Sequence, residues 1–151
     1  RLAEQPVAAQ DFAGLKQVTD SVPVVVEADE SADSLNAVFR LVSGRIVNSI
    51  SLKIPKLGGL RNTFAAAQIC QAGNVSCRMG AAVGSRLLAA HALHLAAALP
   101  VSNYACELGE FDRLLDDPFT GIEVENGHLR VPDVPGCGAR PVSSEVKAIS
   151  A

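Results

Sequence analysis

The sequence predicts an α/β fold, and more narrowly the last half of a (β/α)8 barrel of the TIM type. Short strand-like runs alternate with helix-like runs along residues 1–108, which is typical of parallel strands joined by covering helices. The strands are apolar on one side and polar on the other, as expected where polar side chains converge inside a barrel. A complete barrel needs about 250 residues, whereas this chain has 151.

Five strand-like and four helix-like runs follow one another in order. The predicted strands are residues 1–4, 22–30, 46–54, 74–79 and 103–108. The predicted helices are residues 8–21, 31–44, 59–73 and 84–100. Residues that favour helix ends support these boundaries, namely Asp11, Gly44, Gly73 and Pro100.

The last part of the chain leaves this repeat. The stretch "GIEVENGHLRVP" at 121–132 contains Asn126-Gly127 between two alternating runs, which predicts a β-hairpin with a type I′ turn. We therefore divide the chain into a partial barrel domain, residues 1–118, and a hairpin and tail, residues 119–151. The tail is expected to pack on the barrel or on a cap domain outside this sequence.

Composition excludes several classes of protein. The formal net charge is −3 and no basic block occurs, so nucleic-acid binding is not expected. The longest apolar helical run, "LLAAHALHLAAALP", is too short and too interrupted by histidine to predict a membrane span. The four cysteines lack metal-type spacing and predict reduced core thiols in a cytoplasmic protein. Because the first residue is Arg rather than Met, we expect a fragment of a longer chain.

Residues at the carboxyl ends of barrel strands form the active sites of such folds. Here that rule selects Glu4, Asp29, Lys53, Arg78 or Met79, and Glu107. Two carboxylates on adjacent strands suit Mg²⁺, which prefers oxygen ligands and keeps water or substrate oxygens in its shell. A lysine beside a metal centre is a plausible general base, because nearby positive charge disfavours the ammonium form.

Lys53 lies in the stretch "SISLKIPKLGG" at 49–59. With a period of two, Lys53 shares a side with Ser49 and Ser51, opposite the apolar Ile50 and Leu52. This alternation favours a lysine that points into a catalytic cavity. The alternative is an ordinary strand whose lysine reaches solvent. The nearby Lys56 is interpreted as a loop residue, with the alternative that its side chain reaches the mouth of the cavity.

Three motifs in order resemble the enolase superfamily, and more closely its mandelate racemase/muconate lactonizing branch. They are "EQP" at 4–6, "ADES" at 28–31 and "LKIPKLGG" at 52–59. The resemblance implies that the chain supplies strands 4–8 of the family barrel. It implies that Glu4 and Asp29 bind Mg²⁺ and that Lys53 is the acid/base lysine. Glu107 matches a polar residue of the eighth strand less closely.

The resemblance also implies a reaction. Family members bind a small carboxylate substrate to Mg²⁺ and remove its α-proton to give an enediolate, in racemisation, epimerisation, cycloisomerisation or dehydration. The third metal-binding acid, the second-strand lysine and the capping domain of the family are absent from this sequence. The 151 residues alone are therefore expected to be inactive, and the full-length protein is expected to be an isomerase or lyase that forms homo-oligomers.

Other interpretations stay open from the sequence. The chain could be a non-catalytic truncated half-barrel or an assembly module, since an open half-barrel leaves unpaired sheet edges. A barrel aldolase with a Schiff base on Lys53 is a second alternative. Glu4 could be a solvated carboxylate. Asp29 could cap the following helix, although Ser31 and Asp33 are better placed for that role.

Overall fold

A computed structural model describes residues 1–99 and 104–144. Its centre is a parallel sheet of four strands, β1 (Leu2–Glu4), β2 (Val25–Ala28), β3 (Ser49–Leu52) and β4 (Ser76–Met79), in that spatial order. Strands that are neighbours in sequence are also neighbours in the sheet. The crossovers therefore advance in one direction, unlike those of a doubly wound sheet, in which the strand order reverses.

Helices follow the strands along the chain, which confirms the predicted α/β alternation. The α-helices are α1 (Phe12–Ser21), α2 (Leu35–Ser43), α3 (Ile54–Leu57), α4 (Leu60–Ala72) and α5 (Arg86–Ala98). A 3-10 helix spans Glu110–Arg113, and a small antiparallel sheet pairs β5 (Phe119–Thr120) with β6 (Arg140–Pro141).

Side-chain caps define the starts of the first two long helices. Asp11 accepts a hydrogen bond from the backbone N–H of Gly14 at 2.8 Å, as expected for the N-cap of α1. The cap of α2 is Ser34, which accepts from Ala37 N at 3.2 Å. The expectation of a cap at Ser31 or Asp33 is therefore wrong.

The third strand is shorter than its sequence pattern indicates. Residues 46–54 were expected to be extended, but β3 ends at Leu52, and Ile54 begins the single turn of α3. Pro55 lies in the first turn of α3, where its missing N–H costs no hydrogen bond. Gly58 ends this turn with a φ of +77°, a conformation that favours glycine.

The two sides of the sheet differ as the alternation predicts. The side toward the helices carries Val26, Ala28, Ile50 and Leu52, all fully buried in the main hydrophobic core. The opposite side carries polar residues, most of which are buried apart from Glu4 and Lys53, and we call it the polar face. Its members are Glu27, Ser49, Ser51 and Arg78 on the strands, with Glu4, Asp29 and Lys53 at the strand ends.

The sheet is curved toward its polar face. In a flat sheet, β1 and β4 would be three strand spacings apart, or about 14 Å. The side chains of Glu4 on β1 and Arg78 on β4 nevertheless meet, with 3.2 Å between Glu4 Oε2 and Arg78 Nη2. Strong curvature thus brings the polar side chains of the outer strands into contact.

The expected fifth strand, residues 103–108, is not a strand in its described part, and Asn103 lies outside the described residues. Residues 104–108 nevertheless run close to β4. Glu107 N donates to Met79 O at 2.9 Å, and Arg78 Nη1 donates to Ala105 O at 3.5 Å. Because one backbone bond does not make a ladder, the segment keeps an irregular conformation beside the sheet.

The hairpin expected around Asn126-Gly127 is reduced to its turn. Asn126 and Gly127 have φ values of +52° and +75°, and Glu125 pairs with His128 through two backbone hydrogen bonds of 2.9 Å. The flanking residues form no strands. Pro132 cannot donate to a ladder, and Gly121 has a φ of +101°, so the pairing does not extend. The last residues of the tail, 145–151, lie outside the described residues.

The irregular segments after α5 pack back on that helix. Phe111 and Ile122 are buried against Ala89, Ala90 and Leu93 in a second apolar cluster. Arg86 ties the same region together, since its guanidinium contacts Asp117 at 3.2 Å and lies 4.7 Å from the centre of the Phe111 ring. The division at residue 118 stays a prediction, because the cluster joins residues on both sides of it.

All four cysteines are free thiols. Cys70 and Cys77 are buried in the main core as expected, whereas Cys106 and Cys137 are only partly buried. Within residues 1–99 and 104–144, no helix has both the length and the apolar character needed to cross a membrane.

Candidate active site

Asp29 lies directly after β2, and the side chain of Gln5 holds its backbone in place. Gln5 Oε1 accepts hydrogen bonds from Asp29 N at 2.9 Å and from Ser31 N at 3.1 Å. Gln5 Nε2 donates to Ser31 Oγ at 2.8 Å and to Val7 O at 3.1 Å. Because both the oxygen and the nitrogen of the Gln5 amide have hydrogen-bond partners, the loop after β2 has one defined position relative to β1.

The Asp29 carboxylate binds two lysines from the end of β3. Lys53 Nζ lies 2.5 Å from Oδ2, and Lys56 Nζ lies 2.6 Å from Oδ1. Burial alone would raise the pKa of Asp29, but the hydrogen bonds from Lys53 and Lys56 outweigh it and lower the pKa below its ordinary value. Asp29 is therefore a carboxylate near neutral pH, between two positively charged groups.

Lys56, which the sequence favours as a loop residue, also belongs to the site. Its ammonium also donates to Asp29 O at 2.6 Å and to Ser51 O at 3.1 Å, so it links the carboxyl ends of β2 and β3 to each other. Burial lowers the pKa of Lys56, although the negative charge of Asp29 partly offsets this effect. The available signal was the spacing of three from Lys53, which a single helical turn places on the same side.

Glu4 and Glu107, the other two predicted site residues, meet at the guanidinium of Arg78. Arg78 Nη2 lies 3.2 Å from Glu4 Oε2, and Arg78 Nη1 lies 2.9 Å from Glu107 Oε2. Burial raises the pKa of Glu4; the charge of Arg78 lowers it, and the neighbouring carboxylates of Asp29, Glu27 and Glu107 raise it further. The structure thus joins the four predicted residues as two pairs, one held by direct contact and one through Arg78.

A small cavity of about 20 Å³ adjoins Lys53, Gly80 and Glu107. The remainder of its lining is mostly apolar and includes Met79, Leu88 and Phe111. Its volume is that of about one water molecule. Lys53 therefore stands between the Asp29 carboxylate and an enclosed space that Glu107 also borders.

The donor chemistry of this region suits a hard divalent cation. Glu4 and Asp29 supply carboxylate oxygens from the ends of adjacent strands, and Mg²⁺ is commonly held by one or two carboxylates with water or substrate oxygens. The neighbouring acids that raise the pKa of Glu4 show mutual repulsion, which a cation would relieve. Among the described residues, no group of three or more acids, histidines or cysteines is arranged to hold a metal. Any further protein ligand would thus come from elsewhere.

Gly80→Ala is expected to disturb the site, because a Cβ at Gly80 would lie 1.9 Å from Ser51 Oγ and 3.1 Å from Lys53 Cε. Such overpacking typically lowers the free energy of unfolding by about 1–3 kcal/mol. Urea denaturation measures the change. Gly109→Ala is the matched control, because its Cβ would meet only Val124 Cγ2, at 3.9 Å. Equal stability of the two variants would contradict the close packing at Gly80.

Glu4→Gln is expected to change how stability depends on pH in the metal-free protein. Because its pKa is raised, Glu4 in the folded protein stays protonated at pH values above the ordinary pKa of 4.5, at which Glu4 in the unfolded chain is ionised. The free energy of unfolding of the parent therefore falls as the pH rises through this window. The substituted amide removes that fall, while its carbonyl oxygen can still accept from Arg78. Denaturation between pH 4 and 8 tests this, and a variant that loses stability relative to the parent as the pH rises would contradict it.

Comparisons with known proteins identify the family. The model of the family described as enolase C-terminal domain-like matches residues 1–145. Chloromuconate cycloisomerase of Cupriavidus necator is 36% identical over 140 residues, which cover 91% of this chain and 37% of that protein. L-Ala-D/L-Glu epimerase of Clostridium acetobutylicum is 31% identical over 143 residues, which cover 95% of this chain and 40% of that protein.

Solved structures give the same result. The crystal structure of 2-chloromuconate cycloisomerase from Rhodococcus opacus matches with a TM-score of 0.88 and 30% identity, over 93% of this chain and 38% of that one. The L-Ala-D/L-Glu epimerase from Bacillus subtilis matches with a TM-score of 0.86 and 30% identity, over 91% of this chain and 38% of that one. The chain spans about two fifths of the length of these relatives. It belongs to the enolase superfamily, in the mandelate racemase/muconate lactonizing branch.

Proposed function

We propose that the intact protein is a Mg²⁺-dependent isomerase or lyase that removes a proton from the carbon next to a substrate carboxylate. In this proposal the chain supplies the C-terminal half of a (β/α)8 barrel. The observation that carries it is the ion pair of Lys53 with Asp29, 2.5 Å long, at the carboxyl ends of adjacent parallel strands. In barrels of this type, that end of the sheet is where catalysis occurs.

Each residue has a role in this proposal. Glu4 and Asp29 would hold Mg²⁺, which offsets the negative charge of a bound substrate carboxylate. Lys53, in its amine form, accepts the α-proton at Nζ on one face of the substrate. In an epimerisation, a second acid on the opposite face, outside this sequence, would deliver the new proton. Lys56 keeps the Asp29 carboxylate in place during this transfer. Glu107 borders the small cavity beside Lys53 and would lie next to a substrate bound at that lysine.

The proposal concerns the intact protein rather than these residues alone. The relatives are about two and a half times as long as the matched part, so more than half of each of them has no counterpart here. Two carboxylates and one candidate base are present in the described residues. We therefore assign the remaining ligands, and the residues that select the substrate, to parts of the intact protein outside this sequence.

The names of the relatives suggest two substrate classes, muconates and dipeptides. The purified intact protein is incubated with Mg²⁺ and cis,cis-muconate or L-Ala-L-Glu. Lactone formation adds a proton to the α-carbon and is therefore the proposed removal in reverse; it is followed by absorbance. Epimerisation is followed by chiral chromatography. Turnover of either compound that stops on chelation of Mg²⁺ supports the proposal. An intact protein that binds no Mg²⁺ would overturn it.

A second candidate, an assembly module, is favoured by the free edge of β1. Within residues 1–99 and 104–144, β1 pairs only with β2, and such an edge can accept another strand. Sedimentation velocity of the 151-residue chain at several concentrations separates the two cases. Concentration-dependent association without Mg²⁺ binding would favour the module, whereas a compact monomer would contradict it.

A further inference from the structure

Arg78 is the most connected side chain of the polar face. Its Nε donates to Glu27 Oε1 at 3.0 Å, and its Nη2 lies 2.8 Å from the same oxygen. Its Nη2 also reaches Glu4, and its Nη1 reaches Glu107 and Ala105 O. One buried guanidinium thereby joins β1, β2, β4 and the segment after α5.

Glu27 anchors Arg78. It is fully buried, and both of its carboxylate oxygens are engaged. Oε1 accepts from Arg78, while Oε2 accepts from Ser49 Oγ at 2.8 Å. A buried carboxylate with these partners has one orientation, so the guanidinium that it binds is also held in one place.

Glu4 depends on this anchored guanidinium. Its side chain is about one-third exposed, and Arg78 is its ion-pair partner in the described part of the chain. The contact uses Oε2 and leaves Oε1 for a further partner. A carboxylate at the end of an outer strand would otherwise rotate freely, and preorganisation of this kind normally strengthens metal binding.

Charge balance explains why Arg78 would support a cation rather than replace it. Three carboxylates, those of Glu4, Glu27 and Glu107, surround one guanidinium. The cluster therefore keeps an excess of negative charge after all the ion pairs have formed. Since the Arg78 nitrogens already have protein partners, we do not expect Arg78 to bind the substrate carboxylate.

We propose that Arg78 is a positioning residue that orients Glu4 for Mg²⁺ and thereby sets the affinity of the site for the metal. This inference rests on the proposed function, in which Glu4 is a ligand. Loss of an outer partner of a metal ligand typically weakens metal binding about 10- to 100-fold. The same loss is expected here when Glu4 is intact but its guanidinium partner is removed.

The test uses the double variant Glu27→Gln/Arg78→Met of the intact protein. Arg78→Met alone would leave Glu27 buried without a counter-ion, whereas removal of both charges is tolerated far better. Isothermal titration calorimetry of the metal-free protein with MgCl₂ gives the dissociation constant. We expect it to rise at least about 10-fold. Glu27→Gln alone keeps Arg78 and an amide oxygen that can accept from it, so this variant should raise the dissociation constant by less.

Arg86→Met/Asp117→Asn is the matched control. This pair is also largely buried, with 3.2 Å between Arg86 Nη1 and Asp117 Oδ2, but it joins α5 to the segment that follows the 3-10 helix, not to Glu4. Its loss should lower thermal stability and leave Mg²⁺ affinity within about 2-fold of the parent. If Glu27→Gln/Arg78→Met also stays within that range, or if the control weakens binding equally, the inference fails and the proposed function stands. A parent protein that binds no Mg²⁺ overturns both.

Discussion

Lys53→Met in the intact protein should reduce exchange of the substrate α-proton by at least about 100-fold, since general bases contribute about 10²–10⁴ to rates. Methionine keeps most of the apolar stem of lysine and removes only the group that carries the proton. Lys56 still holds Asp29 Oδ1 at 2.6 Å, so the variant keeps one of the two lysine partners of this proposed ligand and should still bind Mg²⁺. Exchange measured by NMR and affinity measured by calorimetry together separate proton transfer from metal binding.

Lys16→Met is the control for Lys53. Lys16 also forms a 2.5 Å ion pair with an aspartate, Asp20, but on the exposed surface of α1. Exchange should be unchanged in this variant. Retention of exchange in Lys53→Met would remove Lys53 from the mechanism, whereas equal loss in both variants would indicate a general effect of lost charge.

Asp29→Asn should have the largest combined effect, on metal binding and on stability. The variant loses a proposed ligand and leaves two partly buried ammonium groups without their carboxylate. We expect Mg²⁺ affinity to fall at least about 100-fold, and the free energy of unfolding to fall by about 3 kcal/mol, the lower end for a broken buried pair. The lowered pKa of Asp29 also predicts how the stability of the parent protein depends on pH in acid. The ionised Asp29 carboxylate stabilises the fold fully above its ordinary pKa of 3.8, and this contribution is lost as the pH falls through the lowered pKa.

A comparison of the Lys53–Asp29 pair with the Lys16–Asp20 pair makes this prediction sharp. Both are 2.5 Å long, but the side chains of Lys53 and Asp29 are 21% and 7% exposed, against 38% and 59% for Lys16 and Asp20. Asp20→Asn should therefore cost less than about 1 kcal/mol, as exposed pairs do. Chemical denaturation of both variants measures the difference. Similar costs at the two positions would contradict the role given to burial.

The alternation of polar and apolar residues was sufficient to predict the parallel strands and the two sides of the sheet. It placed Lys53 with Ser49 and Ser51, and the structure has these three on the side that faces Glu27 and Asp29. The side of a strand on which a residue lies is set locally by the backbone, so it can be predicted without knowledge of the fold. The candidate residues at strand ends followed from the same parity once the sheet was taken as parallel.

Contacts across the sheet could not be predicted in this way. The partners of Arg78 are separated from it by up to 74 positions in sequence, and their meeting depends on the curvature of the sheet. Lys56 was assigned to a loop because the sequence pattern does not show the single turn of α3 that brings it back to Asp29. Residues 104–108 have the alternation of a strand, but the pairing needed to form one is missing in the described part of the chain.

The most direct test of the account is the Mg²⁺-dependent exchange of a substrate α-proton with solvent deuterium, catalysed by the intact protein. NMR follows the loss of the α-proton signal of a panel of carboxylates, including dipeptides and muconolactones, with and without chelator. We predict exchange of at least one compound that requires Mg²⁺ and disappears in Lys53→Met. Exchange that continues without Mg²⁺, or that survives in Lys53→Met, would contradict the account.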